Sequence, residues 1–347
     1  MKIISVGVAG CLLAALTACA SPGGASSSGT TGAPSSGAPA TTDASSSGAR
    51  AATELTSCGL PLRVTSPPRR AVSMEQNATE IMLTLGLADR MVGTAYRTDP
   101  VLDELKGDYD KVPVLAAQYP GREALLAATP DFVYSMRASA YAPDAGGTRK
   151  DLAGLGVPAY LSSNDCEDRA LIPASVSFDA IFAEIGDIAK IFDVTERGQS
   201  VVTDLRRRLE AARTAADTGR EAKLMWYYSG TKTPAIAGRG GLPDTIGTLL
   251  GAGNAFSDIT RQWAEGDWET IAERDPDVIV LADLTRGGDG DSAEAKKAFL
   301  RSDPVASKLT AVRNDRFIVV PGSAMDPSIR SVGAVEQVGR GLRDLDG

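Results

Sequence analysis

The same residue pattern occurs twice in this chain, once in each half. Residues 121–133 read GREALLAATPDFV, and residues 267–279 read DWETIAERDPDVI. Each copy has a glutamate near a predicted helix start, followed seven positions later by the proline of a Pro-Asp pair that leads into an apolar strand. The equal spacing predicts that Glu123 and Glu269 occupy equivalent surface corners of two similar units.

Short apolar runs alternate with helical periodicity along the whole body, which is typical of βαβ units that form a mostly parallel sheet. The predicted strands lie near residues 71–74, 90–94, 131–135 and 158–161 in the first half, and near 223–228, 278–281 and 317–320 in the second. The predicted fold class is therefore α/β, with two Rossmann-like lobes at residues 54–175 and 218–347.

A helical stretch separates these lobes, at residues 176–217. Apolar Ile181, Ile185 and Ile188 recur at three- and four-residue spacing, and a break near Asp193 divides the stretch into two helices. The second helix would be about 30 Å long at a rise of 1.5 Å per residue. We expect a single long helix that bridges the lobes, with a ligand cleft between them.

The N-terminal segment predicts a targeting signal followed by a spacer. Lys2 precedes an apolar run at residues 3–16 that is too short to span a membrane. Residues 1–18 resemble a bacterial lipoprotein signal peptide, which implies that Cys19 carries the lipid. Residues 19–53 consist almost entirely of Ala, Gly, Ser, Thr and Pro, and predict a flexible linker. A plain secretory signal with an incidental cysteine is the alternative.

Cysteine usage fits an exported protein. Cys11 would leave with the signal and Cys19 would take the lipid, so that Cys58 and Cys166 remain in an oxidising compartment. A structural disulfide between these two is the prediction, and two free thiols are the alternative. The bridge would close a loop of about 108 residues, for which the chain-entropy model gives about 4–5 kcal/mol.

The composition excludes several functions, because the chain has a net charge of −8 and no histidine. A Ser-His-Asp or Cys-His catalytic set, a His-ligated zinc or haem and a histidine pH switch all need an imidazole. The acidic balance argues against nucleic acid. A hydrolase that uses Glu75 and Asp283 is the enzyme alternative. Because no nucleophile elbow, metal motif or phosphate loop occurs, we expect no enzyme, no metal site and no cofactor.

Ligand-binding residues are expected in the loops that follow the strands, because ligands of open α/β sheets bind beyond the carboxyl ends of the strands. These loops are rich in Arg, Tyr and Trp, although aromatic residues make up only 5% of the chain. Such side chains suit a bulky, planar or anionic ligand. The candidates are Glu75, Gln76, Tyr96, Arg97, Arg137, Tyr141, Trp226, Tyr228, Arg239, Arg261, Gln262, Trp263 and Met325. A core position is the alternative for Trp226.

Several motifs, taken in order, resemble one family. They are PPRRAVS at residues 67–73, ATEI at 78–81 and LGLADRMVG at 85–93, followed by the two Glu to Pro-Asp motifs and the central helix. From residue 67 to the C-terminus the chain is similar to the iron-siderophore, haem and cobalamin binding proteins of ABC importers. The resemblance implies two lobes joined by one rigid helical backbone, with the ligand held in the cleft.

The resemblance also implies that Glu123 and Glu269 dock onto arginines of a membrane permease dimer. The alternative for both is complementation of the helix dipole, which favours acids in a first turn. We expect a lipid-anchored monomer on the outer face of the cell membrane that captures a ferric siderophore for an ABC importer. Haem, cobalamin or a sensor role through the same cleft are the alternatives. The absence of histidine argues against a bare zinc or manganese ion.

Overall fold

The computed structural model describes residues 51–215 and 222–346. Its first elements, β1 (Thr53–Ser57) and β2 (Leu60–Val64), pair as an antiparallel hairpin. Cys58 and Gly59 form the turn, and both have a positive φ. Regular structure thus begins at the last residue of the predicted linker, and the hairpin itself was not predicted from the sequence.

The first lobe, in the described part, is built on a five-stranded parallel sheet. Its strands are β3 (Ala71–Met74), β4 (Met91–Ala95), β5 (Val114–Ala116), β6 (Phe132–Ser135) and β7 (Ala159–Leu161). They lie in the order β5-β4-β3-β6-β7. β3 and β6 are buried along their whole length, as expected for parallel strands that are covered on both faces. The helices of this lobe are α1 (Gln76–Thr84), α2 (Asp103–Tyr109), α3 (Arg122–Ala127) and α4 (Arg149–Gly154).

The second lobe has a mixed sheet of six strands within residues 222–346. They are β8 (Lys223–Ser229), β9 (Ala235–Ala237), β10 (Gly253–Asn254), β11 (Trp263–Glu265), β12 (Val278–Asp283) and β13 (Phe317–Pro321). β8, β12 and β13 are parallel neighbours, whereas β9 and β11 continue the other edge in antiparallel pairing. The helices are α7 (Leu242–Leu249), α8 (Trp268–Arg274), α9 (Ala293–Ser302), α10 (Thr310–Arg313) and α11 (Ser331–Asp346).

Two helices, α5 (Phe178–Ile191) and α6 (Thr195–Ala215), connect the lobes. The chain turns between them at Asp193, whose φ is 61°. Gly198 allows α6 to approach α5 closely, because a Cβ there would lie 2.4 Å from the Cβ of Ala189. α6 packs against α5 and against α11 of the second lobe, and its Arg197 donates to the backbone oxygen of Thr84 in the first lobe at 3.1 Å, so it contacts both lobes. Residues 216 and 217 of the predicted interlobe segment lie outside the described residues.

The sequence repeat coincides with a repeat in topology. β6 lies beside the first strand of its sheet, β3, and β12 lies beside β8. α3 leads into β6, and α8 leads into β12. The two Glu to Pro-Asp motifs therefore occupy corresponding places in the two lobes.

A buried ion pair joins the lobes. Glu80 on α1 accepts from Nε of Arg330, which precedes α11, at 2.6 Å. The two side chains are 0% and 6% exposed, and they lie at the edge of an apolar cluster to which both lobes contribute. Removing one partner of such a pair would leave a buried charge uncompensated. The pair therefore fastens the first lobe to the second.

The hairpin is attached to the first lobe by covalent and polar contacts. A disulfide joins Cys58 to Cys166, in the loop after β7, with 5.3 Å between the Cα atoms. Ser57 Oγ accepts from the backbone N–H of Leu161 at 2.9 Å. Arg149 is buried; it donates to Ser57 O at 2.9 Å and pairs with Glu167 at 2.6 Å. These contacts make the hairpin part of the lobe.

The predicted signal peptide, Cys19 and the linker up to residue 50 lie outside the described residues. In the part of the chain that the structure describes, no helix combines the length and the apolar character needed to span a bilayer.

Candidate functional site

A cavity of about 370 Å³ lies between the lobes, where the central strands end. Volumes of this order are typical of small-molecule sites. Glu75 and Arg137, which follow β3 and β6, line it from the first lobe. Tyr228, Trp263 and Arg286 line it from the second. The cleft is thus built from both lobes, as the strand-end argument predicts.

Glu75 is the most perturbed acid of the cleft wall. It has a φ of 74°, in a region that non-glycine residues rarely adopt and that is enriched at functional sites. Its carboxylate accepts from Ser135 Oγ at 3.0 Å and from the Met136 N–H at 2.8 Å. Burial raises the pKa of Glu75 to about 8, although these donors and the charge of Arg137 act in the opposite direction. At neutral pH Glu75 is therefore mainly protonated and can donate a hydrogen bond to a ligand.

Two aromatic pairs give the cleft its apolar surfaces. In the first lobe the rings of Tyr96 and Tyr119 meet edge to face, with centroids 4.8 Å apart. In the second lobe the rings of Tyr228 and Trp263 lie 5.0 Å apart. Aromatic rings offer large rigid surfaces with polar edges. A bulky ligand can therefore pack between one pair from each lobe.

Both arginines that line the cleft are already paired. Arg137 donates to Asp326 at 2.6 Å, and this ion pair crosses from the first lobe to the second. Arg286 donates to the buried Asp291 at 2.6 Å, and its guanidinium carbon lies 5.5 Å from the ring centroid of Tyr228. The arginine side chains are thus fixed in position by carboxylates of the protein.

Lys296 holds the loop that carries Arg286. Its buried ammonium donates to the backbone oxygens of Ala282 at 2.8 Å and of Asp291 at 2.6 Å. Burial lowers the pKa of Lys296 to about 8. Asp291 is therefore fixed at its backbone by Lys296, while its side chain fixes Arg286.

The floor of the cleft is a hydrogen-bonded contact between the lobes. Gln76 is buried, and its Oε1 accepts from the N–H groups of Thr98 at 3.0 Å and Asp99 at 2.8 Å. Asp99 in turn accepts from the Ser323 N–H at 2.6 Å. Asn77 donates across the same junction to Ser323 O at 3.3 Å. The floor therefore holds the two walls at a fixed separation.

Asn164 joins the cleft to a buried polar network of the first lobe. Its Nδ2 donates to Ser162 Oγ at 3.1 Å, and Ser162 donates to Glu184 at 2.6 Å. Tyr134 donates to the same carboxyl at 2.5 Å, and burial raises the pKa of Glu184 to about 7. The Oδ1 of Asn164 has no hydrogen-bond partner among the described residues. This oxygen is itself buried, so the network ends there at an unpaired acceptor.

The family follows from the fold together with a match in sequence. The chain has two α/β lobes with a cleft between them, and the model of the family described as "Periplasmic binding protein" matches residues 72–324. The chain belongs to this family. It is a substrate-binding protein of an ABC importer and not an enzyme, and such proteins carry transported ligands rather than cofactors.

Individual periplasmic binding proteins resemble the chain over most of its length. The vitamin B12-binding protein of Vibrio campbellii is 26% identical over 236 residues, which cover 66% of this chain and 76% of that relative. A periplasmic binding protein from Veillonella parvula has a TM-score of 0.74 and 27% identity, covering 84% of this chain and 98% of its own. An Fe3+-hydroxamate ABC-type transport protein from Saccharomonospora viridis has a TM-score of 0.70 at 24% identity, with coverages of 84% and 98%. The predicted family and fold class are confirmed.

Of the predicted ligand-binding residues of this periplasmic binding protein, the structure brings most together in the cleft. Those that line it are Glu75, Gln76, Tyr96, Arg137, Tyr228, Gln262, Trp263 and Met325. Most of them lie at or shortly after the carboxyl end of a strand, and Gln262 and Trp263 lie at the start of the edge strand β11.

Five of the predicted residues do not line the cavity. Arg97, Arg239 and Arg261 are exposed to solvent instead. Tyr141 is 3% exposed, and its hydroxyl donates to Tyr160 O at 2.7 Å within the first lobe. Trp226 is fully buried in the core, which was the alternative stated for it. A position near a strand end was therefore an insufficient criterion for lining the cavity.

Other lining residues were not predicted from the sequence. They are Asn77, Thr98, Tyr119, Ser139, Leu242, Ser323, Asp326 and Pro327. Tyr119 had a usable signal, since it lies in the loop between β5 and α3 beyond a strand end. Asp326 had none, because its role depends on the contact with Arg137 from the other lobe.

The two glutamates of the repeat lie outside the cleft. Glu123 is in the first turn of α3 and Glu269 is in the first turn of α8, and both are exposed. Within the described residues, no group of three or more Cys, Asp and Glu could hold a metal ion.

Proposed function

We propose that this chain is a lipid-anchored, monomeric, extracytoplasmic binding protein that captures a ferric siderophore and delivers it to an ABC importer permease. The observation that carries the proposal is the cleft itself. It combines aromatic pairs from both lobes with fixed polar groups, which is the arrangement that an organic chelate with an apolar exterior requires.

Docking through Glu123 and Glu269 is supported by their placement. Both are exposed acids on helices that lead into corresponding strands of the two lobes. A permease with twofold symmetry would present two equivalent surfaces, and two equivalent carboxylates complement them. We expect arginines of the permease to pair with these glutamates.

A titration tests the binding step. Iron-free mature protein is titrated with hydroxamate and catecholate ferric siderophores, haem and cobalamin while tryptophan fluorescence is followed. We expect saturable quenching by a siderophore at micromolar concentration or below. Tyr96→Ala and Tyr228→Ala, one from each wall, should each weaken it about tenfold or more. Arg239→Ala, at an exposed position outside the cleft, is the matched control.

If no compound of this panel quenches the fluorescence of the folded protein, the proposal is contradicted and the assignment shifts to a sensor of another ligand. Quenching by haem alone would contradict the siderophore assignment while keeping the transport role.

An uptake assay tests the docking step. Charge reversal at Glu123 and Glu269 together should abolish ligand uptake while leaving ligand affinity unchanged. Glu104 and Glu294 are a matched control pair, because they are exposed first-turn acids of α2 and α9, one in each lobe. Their reversal tests the helix-dipole explanation and should leave uptake intact. Equal loss in both double variants would contradict specific docking.

Lipid anchoring is tested by cell fractionation. Cys19→Ser should release the protein from the membrane fraction and abolish metabolic labelling with a fatty acid. Cys11→Ser is the control, since that residue would leave with the signal peptide. Membrane retention of the Cys19 variant would refute the anchor.

Cobalamin is the second candidate ligand. The observation that favours it is the similarity, over 66% of the chain, to a protein named for vitamin B12 binding. In the titration above, quenching by cobalamin with none by siderophores would establish this assignment.

A further inference from the structure

The cleft carries no surplus of positive charge. Two guanidinium groups line it, those of Arg137 and Arg286, together with three carboxyl groups, those of Glu75, Asp165 and Asp326. With Glu75 protonated, the charges of the lining side chains sum to zero. The buried Asp291, which pairs with Arg286 from behind, is balanced in turn by the ammonium of Lys296, so the local sum stays near zero. The arginines are therefore matched by acids at their own site.

An anionic ligand would have to compete with these acids. Arg137 donates one N–H to Asp326, which is only 18% exposed and whose oxygen lies 2.6 Å away, so an oxyanion bound to its remaining donors would lie close to that carboxylate. The same holds at Arg286, whose partner Asp291 is 4% exposed. Repulsion between like charges in such a partly desolvated site is costly. The net charge of −8 also repels a polyanion at longer range.

The aromatic walls favour a cation or an apolar surface over an anion. The faces of Tyr228 and Trp263, which line the cleft, attract cations as well as apolar groups. An ammonium group or an apolar exterior fits such a lining, whereas an additional oxyanion does not.

We infer that the cleft selects uncharged or cationic metal chelates, such as trihydroxamates, and discriminates against polyanionic ones, such as triscatecholates and haem. The inference rests on the proposed capture of a chelate by this cleft. It assigns a specificity role to the carboxylates of Asp326 and Asp291, which act by occupying the arginines.

The test uses one ferric trihydroxamate scaffold with a pendant amine in three forms. The free ammonium is cationic, the acetylated form is neutral and the succinylated form is anionic, while the metal-binding part is the same. We expect the cationic and neutral forms to bind with similar affinity and the anionic form about tenfold more weakly at low salt. The penalty should shrink as the salt concentration rises.

Variants show whether the paired acids set this preference. Asp326→Asn frees Arg137 and should remove most of the penalty for the succinylated form. The double variant Arg137→Gln with Asp326→Asn restores neutrality and should restore the penalty. Thermal unfolding identifies a variant that has lost its fold, and Asp291→Asn then provides the same comparison at Arg286.

The outcomes separate the inference from the proposed function. Equal binding of all three forms, or tightest binding of the succinylated form, overturns the charge selection and leaves the siderophore role standing. If none of the three binds but a catecholate siderophore of the titration above does, the charge selection is overturned and the siderophore role stands. If no siderophore binds, the siderophore role fails, and cobalamin is compared with its monocarboxylic acid derivative. Weaker binding of that acid supports the charge selection, and equal or tighter binding overturns it. Absence of binding by every siderophore and by both cobalamins overturns both claims.

Discussion

The two lobes share one half of their sheets and differ in the other. In both, three parallel strands follow the same order, β3-β6-β7 in the first lobe and β8-β12-β13 in the second. Beyond β3 the first lobe continues with parallel β4 and β5. Beyond β8 the second lobe turns to antiparallel β9 and β11. The repeated sequence motif lies in the shared half.

In the proposed function this difference separates two tasks. The shared half carries Glu123 and Glu269, for which the proposed docking needs equal placement in both lobes. The divergent half of the second sheet carries Trp263 on β11, a ring with no counterpart of its kind in the first lobe. An asymmetric ligand needs two unlike walls. The proposed docking would thus use the shared half, while the divergent edge makes the two walls of the cleft unlike.

The largest expected effect is a loss of stability when the ion pair between the two lobes is broken. Arg330→Ala leaves Glu80 buried without its partner and should lower the free energy of unfolding by about 3–5 kcal/mol. Denaturant unfolding measures this loss. Arg340→Ala, on the exposed face of α11, is the control and should change the free energy by less than about 0.5 kcal/mol. A loss below about 1 kcal/mol for Arg330→Ala would show that this ion pair does not hold the lobes together.

The next effect is confined to the first lobe. Replacing both Cys58 and Cys166 by Ser should lower the free energy of unfolding by about 2–4 kcal/mol, because the unfolded chain loses its cross-link. The second lobe contains no cysteine, so only the first lobe loses a cross-link. Unfolding should therefore be followed with one probe in each lobe. A reducing agent should destabilise the natural chain and leave the double variant unchanged. Equal midpoints for both proteins would contradict the stabilising role.

A smaller effect tests the divergent edge. Trp263→Ala removes a ring from the cleft and should weaken ligand binding by about 2 kcal/mol, or roughly thirtyfold, with little change in stability. Calorimetric titration measures this change. Arg261→Ala, two residues earlier and exposed, is the matched control and should bind as the natural chain does. Equal loss of affinity in the two variants would show that the Trp263 ring is not what strand β11 contributes to ligand binding.

The smallest effect is a pH dependence that arises under the sheet of the first lobe. Burial raises the pKa of Glu184 from 4.5 to about 7, so the folded state binds more protons than the unfolded state between these values. Stability should therefore fall as the pH rises through this range, by at most about 1.4 kcal/mol per pH unit for one group. Glu184→Gln should flatten this slope. No histidine titrates in the same range, although Glu75 contributes with the same sign.

Unfolding at several pH values between 5 and 7 gives this slope. Glu196→Gln, at an exposed position on α6, should leave it unchanged. An unchanged slope in the Glu184 variant would show that the buried carboxyl is not the source.

Much of the fold followed from the sequence because the central strands are apolar on both faces. β3 and β12 begin where the apolar runs begin, at Ala71 and Val278. The hairpin at Thr53–Val64 was missed, since its alternating exposure and Pro61 make a weak strand pattern. β9 and β11 have three residues each, which is too short for periodicity to indicate them.

The site was less predictable because its geometry depends on local backbone conformation and on contacts between lobes. The φ of Tyr96 is 52°, and this turn directs its ring into the cleft while Arg97 lies in solvent. No propensity indicates such a value at a tyrosine. The partners of Arg137 and Glu80 come from the other lobe, far away in sequence, so charge composition alone suggested free arginines where the structure has pairs.

The disulfide at the hairpin turn also determines how the protein bears a pulling force. Thr53 lies opposite Val64, so tension on the N-terminus alone would unzip the hairpin one residue pair at a time. Because Cys58 is bonded to Cys166, such unzipping would end at Cys58, where the covalent bond passes the load to the loop after β7. The chain from Gly59 onwards would then carry little of the tension, so β2 and β3 would not be peeled from the lobe. A domain held at its N-terminus in flowing medium would thus be protected from unfolding that starts at its point of attachment.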